Sequence, residues 1–449
     1  MKRRGISPTM RTFSTLLKGY ARIDEWEKFH LQLNNVWSVY EQLQKYDGPD
    51  LSNIPYNLLI VIFGKAQRFQ RMFDVFNSMP SKGPLAPDIQ TFSVLITAIG
   101  NRQLSAFSNT PTDDEDGQAA PHAPLTATEL AYKNASDAKL IWRQLLRVCQ
   151  TPDSHAIRAI FKPLSRGRPS DQKFALDIAH EYLGLSQPGE QSIPAKLSLH
   201  EQTLEAVLVT SNLARRYRST LHYVQQVIDS DQFTLLTRKH MYYAIHAHAA
   251  LASLDPAEAG QALETLQWML RMQALPPIPG PDGGIGSQIR PTSSTYDVVA
   301  LACWNGGDWP SACRAFELMT GFPVDQFRGG IHAPPRRLTD APGQGLRPSA
   351  TFMSSFIKAA AKTHDPEEIY LALNILEYYG LDTLLERVSD PGHPSRDESR
   401  KRDDKRHLSA QSKLFDALHV VLPQMLRSPA YDKATKIRWS DMLWRSKEE

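Results

Sequence analysis

Cysteine is nearly missing from the 449 residues: Cys149, Cys303 and Cys313 lie far apart and none belongs to a CxxC pair. That spacing excludes a disulfide framework and a zinc knuckle, and leaves the three as small core residues. Long hydrophobic runs are missing too. No stretch approaches the ~18 consecutive apolar residues that a membrane-spanning helix needs, so no membrane span is expected. Charge of one sign is also scarce, since the net charge is only +3 with 22% of residues charged. Contact with nucleic acid then has to rest on where Lys and Arg sit, not on their total. Catalytic signatures are absent. There is no Gly-rich phosphate loop, no Ser or Cys nucleophile in a recognisable setting, and no HxE with PCxxC of a deaminase. The chain reads as non-enzymatic, with no cofactor, no metal and no small-molecule substrate.

What the sequence does hold is helical periodicity. Tyr56, Leu59, Ile60 and Phe63 fall at i, i+3, i+4 and i+7, and Phe69, Met72, Phe73 and Phe76 repeat the spacing, which predicts two amphipathic helices packed as an antiparallel hairpin. Gly83 and Pro87-Asp88 close the unit, and Phe92, Leu95, Ile96 and Ile99 restart it, with Phe92 36 residues after Tyr56. A helix pair that returns at this interval marks a stacked repeat, because one hairpin cannot bury its own apolar faces. Phe13, Leu16, Leu17 and Tyr20 give the pattern upstream. Tyr296, Val299, Ala300 and Cys303, then Trp309, Ala312, Cys313 and Phe316, give it downstream, with a weaker copy at Phe352, Phe356 and Ala359. No segment shows sustained alternation, so the expected fold class is all-α, a right-handed α-solenoid of antiparallel helix pairs.

The stretches ISPTMRTFSTLLKGYAR, Ile54 to Asp88 and Ile89 to Arg102 resemble the pentatricopeptide repeat family, with looser copies in IRPTSSTYDVVALACWNGGDWPSACRAFELM and LRPSATFMSSFIKAAAK. Thr-Phe-Ser, Pro-Tyr-Asn and Thr-Tyr-Asp open first helices, and the Trp, Gly and Tyr pattern of the tetratricopeptide repeat is not found. The resemblance implies single-stranded RNA as partner, read one base per helix pair. It implies base-reading roles for Ser14, Asn57, Ser93 and Asp297, the residue directly after each aromatic, and for Asp88 and Asp153 as residues that close a repeat. Ile54 would be an aliphatic wedge for base stacking, whereas Gln90 in the matching place departs from the pattern. Asn57 and Ser93 are also residue types that cap helices, a role compatible with reading.

Lys18, Arg22, Lys65, Arg68 and Arg102 fall at or just past the ends of first helices. Singly they read as solvated helix ends favoured by the dipole. As a series at matching positions they are expected to contact phosphates. Family resemblance further implies a mitochondrial matrix location and an RNA that is ribosomal or messenger. The roles it offers are RNA processing, stability or translation, including small-subunit ribosomal RNA maturation. The inserts and broken repeats look most like fungal mitochondrial members. The alternative is a protein-binding helical scaffold, for example a mitoribosome-associated subunit. Residues 1 to 23 carry six Lys and Arg and no acid, as a transit peptide would. Yet Gly5 to Thr9 reads as the tail of one repeat, so the chain is expected to begin inside the array.

Organisation follows from composition. Residues 1–104 read as N-terminal repeats, and 105–128, with Asp113-Asp114-Glu115-Asp116, as an acidic mobile insert. Residues 129–275 read as degenerate repeats in which a hairpin resumes near Asp137, and 276–294 as a Pro/Gly-rich linker. Residues 295–387 hold C-terminal repeats interrupted by 323–348, residues 388–407 form a charged loop, and 408–449 cap the array. His246 and His248, two residues apart, face opposite sides of a helix and do not form a zinc pair.

Overall fold

The computed structural model describes residues 8–29, 31–103, 125–230, 232–274, 289–328, 335–337, 345–385, 397–429 and 431–448. The first seven residues, with the basic cluster Lys2 to Arg4, lie outside these ranges, as do the acidic tract at 113–116 and most of the 276–294 linker. Among the described residues every regular element is a helix, and none is long and apolar enough to cross a membrane.

The chain forms two compact units, Met1–Arg216 and Tyr217–Glu449. In the first, helices α1 (Met10–Ala21), α3 (Ile54–Lys65), α5 (Ile89–Gly100), α7 (Ser154–Ser165) and α9 (Glu201–Leu213) pack side by side. Helices α2 (Gln32–Gln44), α4 (Phe69–Asn77), α6 (Ala127–Cys149) and α8 (Pro169–Leu183) form a second layer behind them. The pattern read from the sequence explains the layering. Leu59, Ile60 and Phe63 of α3, Phe92, Leu95, Ile96 and Ile99 of α5, and Ile157, Ile160 and Leu164 of α7 are fully buried between the layers, each side chain contributing roughly 1.5–3 kcal/mol of burial. Gly64 lets α3 and α5 approach closely, since a Cβ there would lie 2.6 Å from the Ala98 Cβ.

The second unit repeats the arrangement. After α10 (Tyr217–Asp229), helices α11 (Arg238–Leu251), α13 (Ser293–Gly306), α15 (Ala350–Lys362) and α18 (Asp397–Arg427) are first helices. Those behind them are α12 (Ala257–Ala274), α14 (Trp309–Thr320), α16 (Pro366–Tyr379) and α19 (Lys433–Glu448), with the short α17 (Leu381–Leu385) after α16.

Three elements differ from the sequence expectation. Helix α6 starts ten residues before Asp137, because Thr126 and Glu129 form a reciprocal capping box. The stretch read as a charged loop is helical from Asp397; its residues 397–407 hold no Gly or Pro and are rich in Arg and Lys, which favour helix. The start of the 323–348 insert is packed, not loose: Val324 and Phe327 are buried, Phe327 lies edge-on to Phe316, and Arg328 pairs with Glu368 at 3.0 Å.

Candidate nucleic-acid interface

Helices α1, α5 and α7 begin on a residue whose side chain caps them, and functional positions repeat when counted from the start of each first helix. Asp88 accepts from the Thr91 amide at 2.8 Å and Asp153 from the Ala156 amide at 2.7 Å, satisfying amides left unpaired in the first turn. Thr9 caps α1 and His200 precedes α9. In α3 the count starts at Ser52, whose hydroxyl accepts from the Ile54 amide at 3.3 Å. The fifth residue onward is then Ser14, Asn57, Ser93, Arg158 and Glu205 in turn.

A groove of about 1120 Å³ runs across α3, α5, α7 and α9, and its walls follow this count. Gln90, His155 and Gln202 stand at the second position; Ser93, Arg158 and Glu205 at the fifth; Val61, Thr97, Lys162 and Val209 at the ninth; Lys65, Asn101, Arg166 and Leu213 at the thirteenth. Steps of three and four residues place these side chains on one face of each helix. Helices α5, α7 and α9 therefore present the same face to one trough, and α3 adds the later half of its own.

The residues that sequence singled out fall unevenly on this frame. Asn57 and Asp88 come together: the Asn57 amide donates to Asp88 Oδ1 at 3.4 Å, while the Thr91 hydroxyl, 2.7 Å from Asn57 Oδ1 and 2.8 Å from Asp88 Oδ1, shares its one proton between them. Burial pushes the Asp88 carboxyl up, but hydrogen bonds from the Thr91 amide and hydroxyl, Asn53 and Asn57 outweigh it and hold Asp88 below the usual carboxylate range. Asn57 is 5% and Ser93 8% exposed, so each offers only a narrow polar window. Ser93 donates to the Ile89 carbonyl at 2.8 Å and Ser14 to the Met10 carbonyl at 2.9 Å. Ser93 and Asp153 line the same groove with no hydrogen bond between them. Ile54 is exposed, and Gln90 takes the equivalent place in α5.

In the second unit Asp297 is the fifth residue after Thr292, and it accepts from Ser349 at 2.6 Å. Ser349 caps α15, so it holds the place that Asp88 holds for Asn57. Sequence reading missed this partner because the insert pushes it 52 residues away. Burial raises the Asp297 carboxyl to about 6, against the opposing effects of Ser349 and Lys413.

The basic series divides. Lys18 and Arg22 are exposed at the ninth and thirteenth positions of α1. Lys65 is at the thirteenth position of α3, but its amine is engaged by the Ala21 carbonyl at 2.8 Å and Asp24 at 3.0 Å. Arg68 lies in the turn before α4, outside the register. Arg102 does not face the groove. It is buried, pairs with Asp137 at 2.9 Å and lies over the Phe69 ring at 4.4 Å, so its charge is spent joining the rear helices. The thirteenth position of α5 is Asn101, one residue earlier, and a one-residue step turns a side chain by about 100°. Sequence reading passed over Arg158, Lys162 and Arg166, although counting from Asp153 would have found all three. The Lys162 amine donates to Asn101 Oδ1, and burial, then repulsion from Arg166, holds it below the usual lysine range. Among the described residues no group of His, Cys, Asp and Glu is placed to hold a metal.

Paired helices that repeat one face into a shared groove define an α-helical repeat protein. Residues 44–102 match the family model of the pentatricopeptide repeat domain. Residues 44–102 thus carry a pentatricopeptide repeat domain. Among solved structures it is similar to the pentatricopeptide repeat protein PPR10 from maize, at 16% identity and a TM-score of 0.37, covering 100% of this chain and 59% of that one. It is also similar to PPR10 in complex with an 18-nt psaJ RNA element, at 12% identity and a TM-score of 0.26, covering 98% of this chain and 71% of that one. The chain thus spans 59% of the length of the first of these structures. No curated protein sequence matches it.

Proposed function

We propose that this protein binds single-stranded RNA along the groove of its first unit, one nucleotide per helix pair, without catalysing a reaction. The observation that carries this reading is the register: α5, α7 and α9 turn the same positions to one trough, in which polar side chains at the fifth place stand where successive bases would lie. The reading assigns base discrimination to Asn57 with Asp88 and to Ser93 with Asp153, and stacking to Ile54. It places the protein in the mitochondrial matrix, acting on ribosomal or messenger RNA in processing, stability or translation. A protein-binding scaffold fits less well, because Lys65, His155, Arg158, Lys162 and Arg166 outnumber Asp24, Asp153 and Glu205 on the groove wall.

Crosslinking followed by sequencing of the bound RNA tests it directly. A short recurrent single-stranded motif is the expected result. Purified protein that shows no affinity for a pool of single-stranded RNA 20-mers at 50 mM salt sinks the proposal.

A further inference from the structure

Within the groove, α7 is unlike its neighbours. Its fifth, ninth and thirteenth positions are Arg158, Lys162 and Arg166, all exposed, with His155 at the second. In α5 the same places hold Ser93, Thr97 and Asn101, and in α9 they hold Glu205, Val209 and Leu213. Four-residue steps space the three cations about 6 Å apart along one face of the helix. No carboxylate among the described residues pairs with any of them, and burial, with a smaller part from Arg166, lowers the Lys162 ammonium.

The closing place differs too. Asn57 is held by Asp88 and Asp297 by Ser349, so at these two places the side chain is oriented from the next cap, whereas Ser93 has a carboxylate, Asp153, at that cap without a bond to it. For Arg158 the residue at that cap is His200, exposed and without a carboxylate. Among the described residues no hydrogen bond or ion pair orients the guanidinium as a base reader. A planar fork with free donors beside two further cations is suited to phosphate oxygens.

We propose that α7 is a phosphate clamp: Arg158, Lys162 and Arg166 hold the RNA backbone where it passes α7, and the nucleotide facing α7 is held without being read. The inference rests on the groove being an RNA site. It goes further in moving the main electrostatic anchor from the ends of α1, α3 and α5 to one helix, and in breaking base readout at that step.

The test measures binding of a fluorescent single-stranded RNA 20-mer by anisotropy across salt, for the unchanged protein and for Arg158→Gln, Lys162→Gln and Arg166→Gln, singly and together. For single strands each lost phosphate contact lowers the salt slope by about 0.7, so the triple variant is expected to lose about 2 in slope and each single variant about 0.7. Arg22→Gln with Arg68→Gln is expected to lose less than the triple. Circular dichroism on every variant checks folding; should the triple variant unfold, the single variants decide. Changing the base that faces α7 is expected to alter affinity less than twofold. An unchanged slope in folded variants overturns the clamp. So does a guanine preference at that nucleotide that Arg158→Gln removes, which would make Arg158 a base reader. No RNA binding by the unchanged protein would defeat the groove reading itself, an outcome separate from either. A slope carried by an acidic peptide competitor but not by RNA would likewise assign the stripe to a protein partner.

Discussion

Asp297 and Ser349 meet at 2.6 Å although the chain between them runs through an entire helix and an insert. The contact reproduces in the second unit the relation between Asn57 and Asp88 in the first, with the charge on the other partner. It also sets opposite pH responses. Asp297 is raised to about 6 by burial, so its folded form holds a proton that the unfolded chain has already released; the stability it gives is complete below about pH 4 and is lost as pH rises to about 6. Asp297→Asn is therefore expected to raise stability at pH 7.5 by roughly 1–3 kcal/mol and to change little at pH 4. Urea unfolding at the two pH values checks this, and equal effects at both would refute it.

Asp88 behaves in the reverse sense. Its carboxyl is held low by Thr91, Asn53 and Asn57, so it stabilises above the unfolded carboxylate range and loses that contribution as pH falls through its own lower value. Asp88→Asn keeps a capping oxygen and removes only the charge, so it is expected to cost about 1 kcal/mol at pH 7, the difference between hydrogen bonds to a charged and to a neutral acceptor. The deficit should shrink towards pH 3. A deficit independent of pH would place the loss elsewhere than in the charge.

Thr91 decides which way the Asn57 amide points. With Oδ1 bound to the Thr91 hydroxyl, the amide donates towards Asp88; the flipped form would set a carbonyl against that carboxylate. Thr91→Val removes the hydroxyl, and Thr91→Ser keeps it. On the RNA-binding proposal, the protein should discriminate among the bases opposite Asn57 by roughly 1–3 kcal/mol. Thr91→Val should flatten that preference and Thr91→Ser retain it. Asn57→Ser should change which base is preferred. Four oligonucleotides differing at one base suffice, and the same ranking in all three variants would reduce Thr91 to a capping residue.

Arg102 is a test of stability, not of binding. Its guanidinium is 2.9 Å from Asp137 and stacked on Phe69, and removing one partner of a buried pair costs about 3–5 kcal/mol. Arg102→Ala should lower the melting temperature while leaving the salt slope of RNA binding where it was. A lowered slope with unchanged melting would restore Arg102 to the groove.

Gly64→Ala brings a methyl to 2.6 Å from the Ala98 Cβ, and overpacking of this kind costs about 1–3 kcal/mol. Thermal unfolding should show the loss, and Gly64→Ala with Ala98→Gly should recover most of it. Failure of the double variant to recover would mean that α3 and α5 do not approach through this pair.

The helix pairs were legible because their signal is local: apolar residues at three- and four-residue steps place Leu59, Phe63, Phe92 and Ile96 in the core wherever the helices stack. Asn57 and Asp88 were legible for the same reason, lying within one unbroken unit. Arg102 was misplaced because sequence gives the end of a helix only to within a residue or two, and a single residue decides between groove and core. Ser349 and the α7 stripe were hidden by inserts, which destroy the interval on which repeat counting relies. What survives an insert is the cap, and Asp153 marks α7 as clearly as Asp88 marks α5.

That the residue closing one repeat is also the cap of the next has a consequence for how such a chain can change. On the RNA-binding proposal, the pair facing a nucleotide is assembled from two neighbouring helix starts, so the length of the path between them is free. Loop-closure cost grows only with the logarithm of that length. The tract between Arg102 and Thr126, and that between Arg328 and Ser349, could therefore lengthen, shorten or acquire binding partners of their own while the order of bases read stayed the same.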